Sequence, residues 1–181
     1  MGEKFGAVLD AARTGAEWAW SELYLDLAPP VLGYLRARGS MDAEDLTQEV
    51  FVSAVRGLPA FEGDEENFRS WIFVIAHNRL IDERRSRTRH PVDPSPMESL
   101  EAAGGNVEDE FMNGVESADM RRVLASLTPI QRDVILLRVV GGLSAEDIAP
   151  IVKRSYTAVK QVQRRGLRLM ARLLSEKALA S

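Results

Sequence analysis

The chain has 181 residues, of which 45% are hydrophobic and 28% are charged, so it can bury a core and remain in solution. The absence of cysteine excludes a disulfide framework, a thiolate zinc site and a thiol redox switch. Because no apolar run reaches about 18 residues and MGEKFGAVLDAARTG lacks a signal-peptide core, we expect a cytoplasmic protein without membrane insertion and without a cofactor.

The net charge of −4 hides an uneven distribution along the chain. The segment from Pro91 to Asp119 contains eight acids and no Lys or Arg, whereas Lys153 to Lys177 contains eight bases and one acid. A second basic segment, Arg79 to Arg89, contains five arginines and two acids. Two basic segments that flank an acidic one are compatible with binding to nucleic acid, despite the negative average.

Helical periodicity dominates the chain. Apolar residues recur at spacings of three and four, as amphipathic helices require, and no sustained period-two alternation is present. The stretch HPVDPSPMESLEAAGGN combines three prolines with Gly, Ser and acids, which is typical of linkers. We therefore predict an all-α protein with two small helical domains, 1–90 and 116–181, joined by a flexible acidic linker over 91–115.

Seven helices are predicted. In the first domain they run from Glu17 to Arg38, from near Asp42 to about Gly57, and from near Asn67 to about Arg87. In the second, one ends near Leu127, and the others are Pro129 to Val140, a short helix from Ser144, and Ser155 to about Ala178. Pro29-Pro30 is expected to interrupt or restart the first helix. Thr128 and Ser144 are predicted N-caps, the latter in a capping box with Asp147.

The second predicted helix has two different faces. Leu46, Val50 and Ala54 form an inward stripe, whereas Asp45, Gln48 and Glu49 form the opposite face, which Glu44 extends. An ordinary solvated face is one interpretation. A face of carboxylates and an amide also suits docking against a basic partner surface.

A metal-dependent enzyme that uses Asp42, Glu44, Asp45 and His77 is a rival interpretation. The spacing disfavours it, because one helix cannot direct the first three side chains at a single ion. His77 and His90 have no histidine or cysteine partner at ligand spacing. We therefore predict neither a catalytic site nor a metal site.

The third predicted helix is rich in aromatic residues and arginines. Phe68, Ile72, Ala76 and Leu80 recur at spacing four and are expected in the core. Phe61, Trp71 and Phe73 cannot all lie on that stripe. Exposed rings beside arginines suit single-stranded DNA, because bases stack on rings while cations follow the backbone. The alternative is that these rings complete the core.

The segment from Leu143 to Leu174 has the pattern of a helix-turn-helix: a short capped helix, a turn at Lys153-Arg154, and a second cap at Ser155. In the long helix, the apolar stripe is Val159, Val162, Gly166, Leu169 and Leu173. Another face carries Lys160, Arg164 and Arg168, with Gln161 and Arg165 beside them. Such a helix can read base edges and neutralise phosphates in the major groove, although a solvated basic face is the simpler alternative.

These segments together resemble the extracytoplasmic-function sigma factors, in the family's order. The resemblance rests on ELYLDLAPPVLGYLRAR, DAEDLTQEVFVSAV, FEGDEENFRSWIFVIAHNRLIDERRSR, and LASLTPIQRDVILLRVVGGLSAEDIA with the helix-turn-helix. It implies a non-catalytic subunit that directs core RNA polymerase to promoters. The first domain would bind the largest polymerase subunit and open the −10 element. The second would bind the second-largest subunit and the duplex −35 element, and an anti-sigma factor is an expected partner.

The resemblance also implies roles for individual residues. Asp45, Gln48 and Glu49 would bind the core enzyme. Phe61, Phe68, Trp71, Asn78, Arg84 and Arg85 would bind the −10 element, where the Phe61–Phe68 loop holds a flipped base. Ser155, Thr157, Lys160, Gln161, Arg164 and Arg165 would contact the −35 element.

Three residues depart from the family pattern. Glu62 stands where a basic residue is common before Gly-Asp. Lys153 occupies a turn position where Gly is frequent, and positive φ is disfavoured for a non-Gly residue. Pro150 lies inside the short helix, where an interior proline costs about 3 kcal/mol unless the helix bends or ends.

A free-standing helix-turn-helix regulator that binds operators without polymerase is the remaining alternative. It would not explain the DAEDLTQE face. A further hypothesis is that the acidic segment, or an anti-sigma factor, screens the two basic surfaces in the free protein.

Overall fold

A computed structural model of the protein describes residues 1–89 and 118–178. These residues form α-helices and two short 3-10 turns, with no strand among them, so the all-α prediction is confirmed. The helices are α1 (Phe5–Arg13), α2 (Glu17–Ala37), α3 (Ala43–Gly57), α4 (Glu65–Arg89), α5 (Ala118–Ala125), α6 (Pro129–Val139), α7 (Ala145–Ile151) and α8 (Tyr156–Ala178). The 3-10 turns are Gly2–Lys4 and Leu58–Ala60. The predicted linker, 91–115, lies outside the described residues.

Helix α1 was not predicted from the sequence. Phe5, Val8, Leu9 and Ala12 lie at helical spacing and are buried against the rest of the first half. The ring of Phe5 packs against that of Phe68 on α4, with 5.7 Å between the centroids. The same periodicity is visible in the sequence and could have identified this helix.

Helix α2 passes through Pro29 and Pro30 without a break, so the predicted interruption is wrong. The two prolines remove the donors that would bond to the carbonyls of Leu25 and Asp26, which are exposed and half-buried residues respectively. The opposite face of α2 is fully buried, and its packing holds the helix together across the two missing bonds.

Both predicted N-caps of the second half are present, and the structure shows a capping box at Thr128 as well as the predicted one at Ser144. Thr128 begins α6, where its amide donates to Gln131 Oε1 over 2.9 Å. Ser144 begins α7, where it receives a bond from the Asp147 amide and donates its own amide to the Asp147 carboxylate, both over 3.1 Å. These caps fix where the two helices start.

The two halves are in contact through one continuous hydrophobic core. Helix α4 packs against α7, and α2 packs against α6. Gly141, which follows α6, lies so close to α4 that a Cβ there would come within 3.2 Å of the Phe73 ring. None of the described helices is both long and apolar enough to cross a bilayer.

Candidate nucleic-acid interface

The helix-turn-helix comprises α7 and α8. Ser155 Oγ accepts a bond of 3.3 Å from the Ala158 amide, as the predicted cap requires. Val159 and Gly166 are buried and Val162, Leu169 and Leu173 are half-buried, so the predicted apolar stripe faces the core. Gly166 permits close contact with α6, since a Cβ there would lie 2.5 Å from Ile135 Cδ1.

All six residues that were predicted to contact duplex DNA are exposed: Ser155, Thr157, Lys160, Gln161, Arg164 and Arg165. Within the described ranges, none of the three cations among them forms an ion pair with an acid. Lys160 instead lies 5.8 Å from the centroid of the Tyr156 ring. This face is therefore available to an anionic partner.

The two departures from the family pattern lie at the end of α7 and in the turn that follows it. Lys153 has a φ of 54°, the left-handed conformation that favours glycine. Pro150 is exposed in the last turn of α7, where the helix ends at Ile151. The turn is closed by a bond of 3.0 Å from the Arg154 amide to the Ala149 carbonyl, so the motif forms despite both residues.

The predicted polymerase-binding residues, Asp45, Gln48 and Glu49, are all exposed on one face of α3. Glu49 Oε2 lies 3.6 Å from Arg79 Nη1 on α4. Val52 and Val55 continue this face towards the end of the helix, and about half of each side chain is exposed. The surface thus combines acidic and apolar groups.

The aromatic residues near the start of α4 form a cluster. The Phe61 ring lies 5.1 Å from the Trp71 ring and 5.3 Å from the Phe68 ring. Phe68 is a core residue with 1% of its surface exposed, and Phe61 has 9% exposed. The prediction that Phe61 and Phe68 contact DNA is corrected, because in this conformation neither ring has a face exposed to a base. Their contacts support the loop and Trp71.

A separate exposed face of α4 joins three of the predicted −10 residues. Trp71, Asn78 and Arg85 follow each other at spacing seven; Trp71 is half-buried, and Asn78 and Arg85 are exposed. Trp71 rests on Gly57, where a Cβ would approach its ring to 2.7 Å. Arg85 Nη1 lies 3.6 Å from Asp82. These three residues can follow one strand along the helix.

The loop that precedes α4 is fixed from two sides. Asp64 and Asn67 exchange backbone-to-side-chain bonds of 2.8 and 3.1 Å, and Gly63 adopts a φ of 150°. On the other side, Arg13 Nη2 donates to the Phe61 carbonyl over 2.6 Å. Because both ends are tied, the exposed residues between them are held in a defined shape.

Arg84 does not share the exposed face of α4. It donates to the carbonyl of Arg38 at the end of α2, where the two halves meet. The Arg38 Nε lies 2.5 Å from Asp133 Oδ1 on α6, without an acceptor in line with the N–H. The hydroxyl of Tyr34 lies 2.8 Å from His77 Nδ1 and 3.3 Å from Asp133 Oδ1.

These groups perturb one another because they are buried together. Burial and the Asp133 carboxylate raise the pKa of the Tyr34 hydroxyl. Burial lowers the pKa of His77; the nearby cations lower it further, and Asp133 opposes them. Burial and Arg38 also lower the pKa of Arg84. At neutral pH the cluster therefore contains a protonated tyrosine and a neutral histidine.

Tyr34, Arg38 and Asp133 were not identified from the sequence. Arg38 and Asp133 have only 3% and 7% of their surfaces exposed, although both are charged. Asp133 interrupts an otherwise apolar buried face of α6, and Arg38 directly follows the buried apolar face of α2. A charged residue in such an apolar pattern could have indicated a buried ion pair. The sequence does not show, however, that Arg38 pairs with Asp133, 95 positions away.

Comparison with known proteins supplies the family. Residues 23–90 match the description of Sigma-70 region 2, and residues 117–170 match that of Sigma-70 region 4. The chain is 31% identical over 175 residues to the ECF RNA polymerase sigma factor ShbA of Streptomyces griseus, and the match covers 90% of this chain and 91% of ShbA. The chain belongs to the ECF RNA polymerase sigma factors.

One further relative and one solved structure are similar to this chain. The sigma factor BldN of Streptomyces coelicolor is 30% identical over 174 residues, which span 94% of this chain but 66% of BldN, just under two thirds of its length. The sigma factor RpoE of Bartonella quintana, crystallised with the anti-sigma factor NepR, shares the fold with a TM-score of 0.67. That match has 24% identity and covers 86% of this chain and 96% of RpoE.

Membership of the sigma factors decides between the earlier alternatives. The chain is an RNA polymerase sigma factor, and a free-standing regulator is not favoured. Sigma factors are non-catalytic regulators of transcription. Within 1–89 and 118–178 no group of three His, Cys, Asp or Glu residues is placed to hold a metal ion, and His77 is engaged by Tyr34.

Proposed function

We propose that this sigma factor delivers core RNA polymerase to promoters through three separate surfaces. The acidic face of α3 binds the largest subunit of the polymerase. The Trp71, Asn78 and Arg85 face of α4 binds the unpaired −10 strand, and the exposed face of α8 binds the duplex −35 element. The observation that carries the proposal is that α3 exposes an acidic and apolar face. Binding to anionic DNA would not require such a face, whereas docking to a protein would.

To open the −10 element, the protein must bind unpaired DNA more tightly than it binds the same DNA as a duplex. A base that leaves the duplex loses a few kcal/mol of stacking, which the Phe61–Phe68 loop and Trp71 must return. Trp71 is half-buried, so one part of its ring is fixed by the cluster while another part meets solvent. Stacking on such a ring contributes about 1–3 kcal/mol per base.

Recognition of the −35 element uses contacts to phosphates and to the major groove instead of base stacking, because that DNA stays paired. Lys160, Arg164 and Arg165 provide cations for phosphates, and Gln161 provides an amide that can pair with adenine in the major groove. Region 4 would also contact the second-largest polymerase subunit. The protein itself supplies differential binding between closed and open DNA and no catalytic group.

Regulation by an anti-sigma factor is part of the proposal. The related fold of Bartonella quintana RpoE was crystallised with the anti-sigma factor NepR. A protein that covers the acidic or basic faces of this chain would prevent its assembly with polymerase or DNA. The proposed site of action is the cytoplasm, where polymerase and chromosomal DNA are found.

Run-off transcription with purified core polymerase and a promoter library tests the proposal. We expect initiation at discrete sites that share two sequence elements, and no initiation by core polymerase alone. Failure to initiate at any promoter in the library would contradict it. Tight, specific duplex binding by the isolated chain, with no transcription, would instead favour a polymerase-independent regulator.

A further inference from the structure

Asp133 places a region 4 carboxylate among cations and donors of region 2. Arg38 contacts it at 2.5 Å, and the Tyr34 hydroxyl donates to the same oxygen over 3.3 Å. Arg84 bonds to the Arg38 carbonyl and so brings a second guanidinium to this site. Since 7% of Asp133 and 3% of Arg38 are exposed, the anion is enclosed in a largely dry cationic site.

The chemistry of this site suits phosphate as well as carboxylate. Guanidinium groups offer planar N–H donors that bind either anion, and a tyrosine hydroxyl adds a neutral donor. Glu83 is the acid of α4 beside Arg84, and one of its oxygens is already engaged by the Ser40 hydroxyl and the Met41 amide. Removal of Asp133 would therefore leave Arg38 and Arg84 with a deficit of negative charge.

The contact between the halves cannot persist while both promoter elements are bound. Elements at −10 and −35 lie about 25 base pairs apart, which is roughly 85 Å of duplex. Helices α4 and α8, with 25 and 23 residues, would reach only about 70 Å even if placed end to end. The 28 residues from 90 to 117 can span up to about 100 Å, so the chain length permits separation.

From these observations we propose that Arg38 and Arg84 form a binding site for a backbone phosphate of the unpaired promoter strand, and that Asp133 occupies this site when the two halves are in contact. Arg84 precedes Arg85 on α4 but lies on the adjoining side of the helix, so the site borders the Trp71, Asn78 and Arg85 face. The inference rests on the proposed function, because it extends the region 2 surface that binds the same strand. DNA and region 4 would then compete for Arg38.

A double-mutant cycle in the full-length chain tests this competition. The probe is a fluorescently labelled, random-sequence single-stranded DNA of about 12 nucleotides, and its affinity is measured by anisotropy over a range of salt concentrations. The variants are Asp133→Asn, Arg38→Ala and the double substitution. Asp26→Asn is the matched control, since Asp26 forms an ion pair of 3.1 Å with Arg69 inside region 2.

Asp133→Asn should raise affinity for the probe about three- to tenfold, and the slope of log affinity against log salt should steepen by about 0.7 for one added phosphate contact. Arg38→Ala should abolish both effects in the double variant, and Asp26→Asn should show neither. If Arg38→Ala does not fold, as judged by circular dichroism, Arg84→Ala in the Asp133→Asn background replaces it. No gain with Asp133→Asn, or a gain that survives loss of either arginine, would overturn the inference.

This experiment separates the inference from the proposed function. Wild-type protein that initiates transcription but shows no coupling between Asp133 and Arg38 would refute the phosphate site alone. Coupling in a chain that never initiates transcription would support the site and refute the promoter function.

Discussion

Gly166 of α8 and Ile135 of α6 are in such close contact that a side chain at position 166 would force the end of Ile135 to shift. A Cβ at position 166 would lie 2.5 Å from Ile135 Cδ1, and Ile135 has only 3% of its surface exposed. The lack of a side chain at position 166 therefore allows α8 to pack closely against α6.

Gly166→Ala should destabilise the protein even though alanine favours helix by about 1 kcal/mol. The clash involves the end of the Ile135 side chain, so Ile135→Val, which removes that methyl, should restore part of the loss. Chemical denaturation of both single variants and the double variant would give a favourable coupling energy of about 1 kcal/mol. Strictly additive effects would show that the two side chains do not oppose each other.

Lys153 should be replaceable by glycine with a gain in stability. Its φ of 54° costs a non-glycine residue about 1–2 kcal/mol, and glycine avoids that cost. Because the substitution also removes a charge, Lys153→Asn serves as the control, since asparagine tolerates this conformation. Thermal unfolding should rank the variants glycine, asparagine, lysine; a lysine as stable as glycine would argue against strain in the turn.

The triple substitution of Asp45, Gln48 and Glu49 by alanine should abolish binding to core polymerase and leave the helical content unchanged. All three are exposed, so their loss removes docking contacts without opening the core. Affinity for core enzyme, measured by fluorescence anisotropy, is the readout. Replacement of Glu66, which is also exposed and acidic but lies on α4, should have little effect. Retained core affinity in the triple variant would place the docking surface elsewhere.

Substitution of Lys160 and Arg165 by alanine should weaken binding of the holoenzyme to duplex −35 DNA. Two lost cationic contacts should cost roughly 1–3 kcal/mol each if they read bases, and should reduce the salt dependence if they meet phosphates. Footprinting and affinity as a function of salt would distinguish these cases. Lys4→Ala removes an exposed cation outside α8 and should leave the footprint intact. An unchanged footprint in the double variant would contradict the assignment.

Acidification should weaken the contact between the two halves through His77. Its pKa is lowered in the structure, so the contribution is fully present above the ordinary value of about 6.5 and is lost as pH falls towards the lowered value. The charged or titratable groups near it are Tyr34 and Arg38 on α2, Arg84 on α4, Asp133 on α6 and Lys153 in the turn. Three are cations, so protonated His77 is opposed by more charges than attract it.

Thermal unfolding between pH 7.5 and 5 measures this effect. His77→Gln keeps a polar side chain at this position but cannot titrate, and it should flatten the dependence over this range. A wild-type melting temperature that stays constant, or a decline equally steep in His77→Gln, would assign acid sensitivity to other groups.

Local patterns were sufficient for most helices and for the surfaces that face solvent. Capping at Thr128 and Ser144, the apolar stripe of α8 and the exposed acids of α3 all follow from short spacings along a single helix. Prediction was wrong at Pro29-Pro30, because tertiary packing on one face of α2 outweighs two missing backbone bonds. The periodicity of the local sequence does not reveal how much this tertiary packing stabilises the helix.

The candidate DNA site was harder to predict for the same reason. Spacing placed Phe68 in the core and family resemblance placed it at the DNA; the structure favours the core. Arg84 and Arg85 are adjacent in sequence, yet Arg84 bonds to the Arg38 carbonyl at the end of α2, whereas Arg85 lies on the exposed side of α4 beside Asp82. The packing of α4 against the end of α2, which no local pattern encodes, gives the two arginines different partners.

The bond from Arg13 to the Phe61 carbonyl gives the loop a support that precedes the residues matched by the region 2 description. A protein whose matched segment were identical but whose leading helix differed would hold this loop by other means. Under the proposed function, we expect promoter preference in such a pair to diverge although every predicted DNA-contacting residue stays the same. Exchange of leading helices between related chains, followed by run-off transcription, would measure that effect.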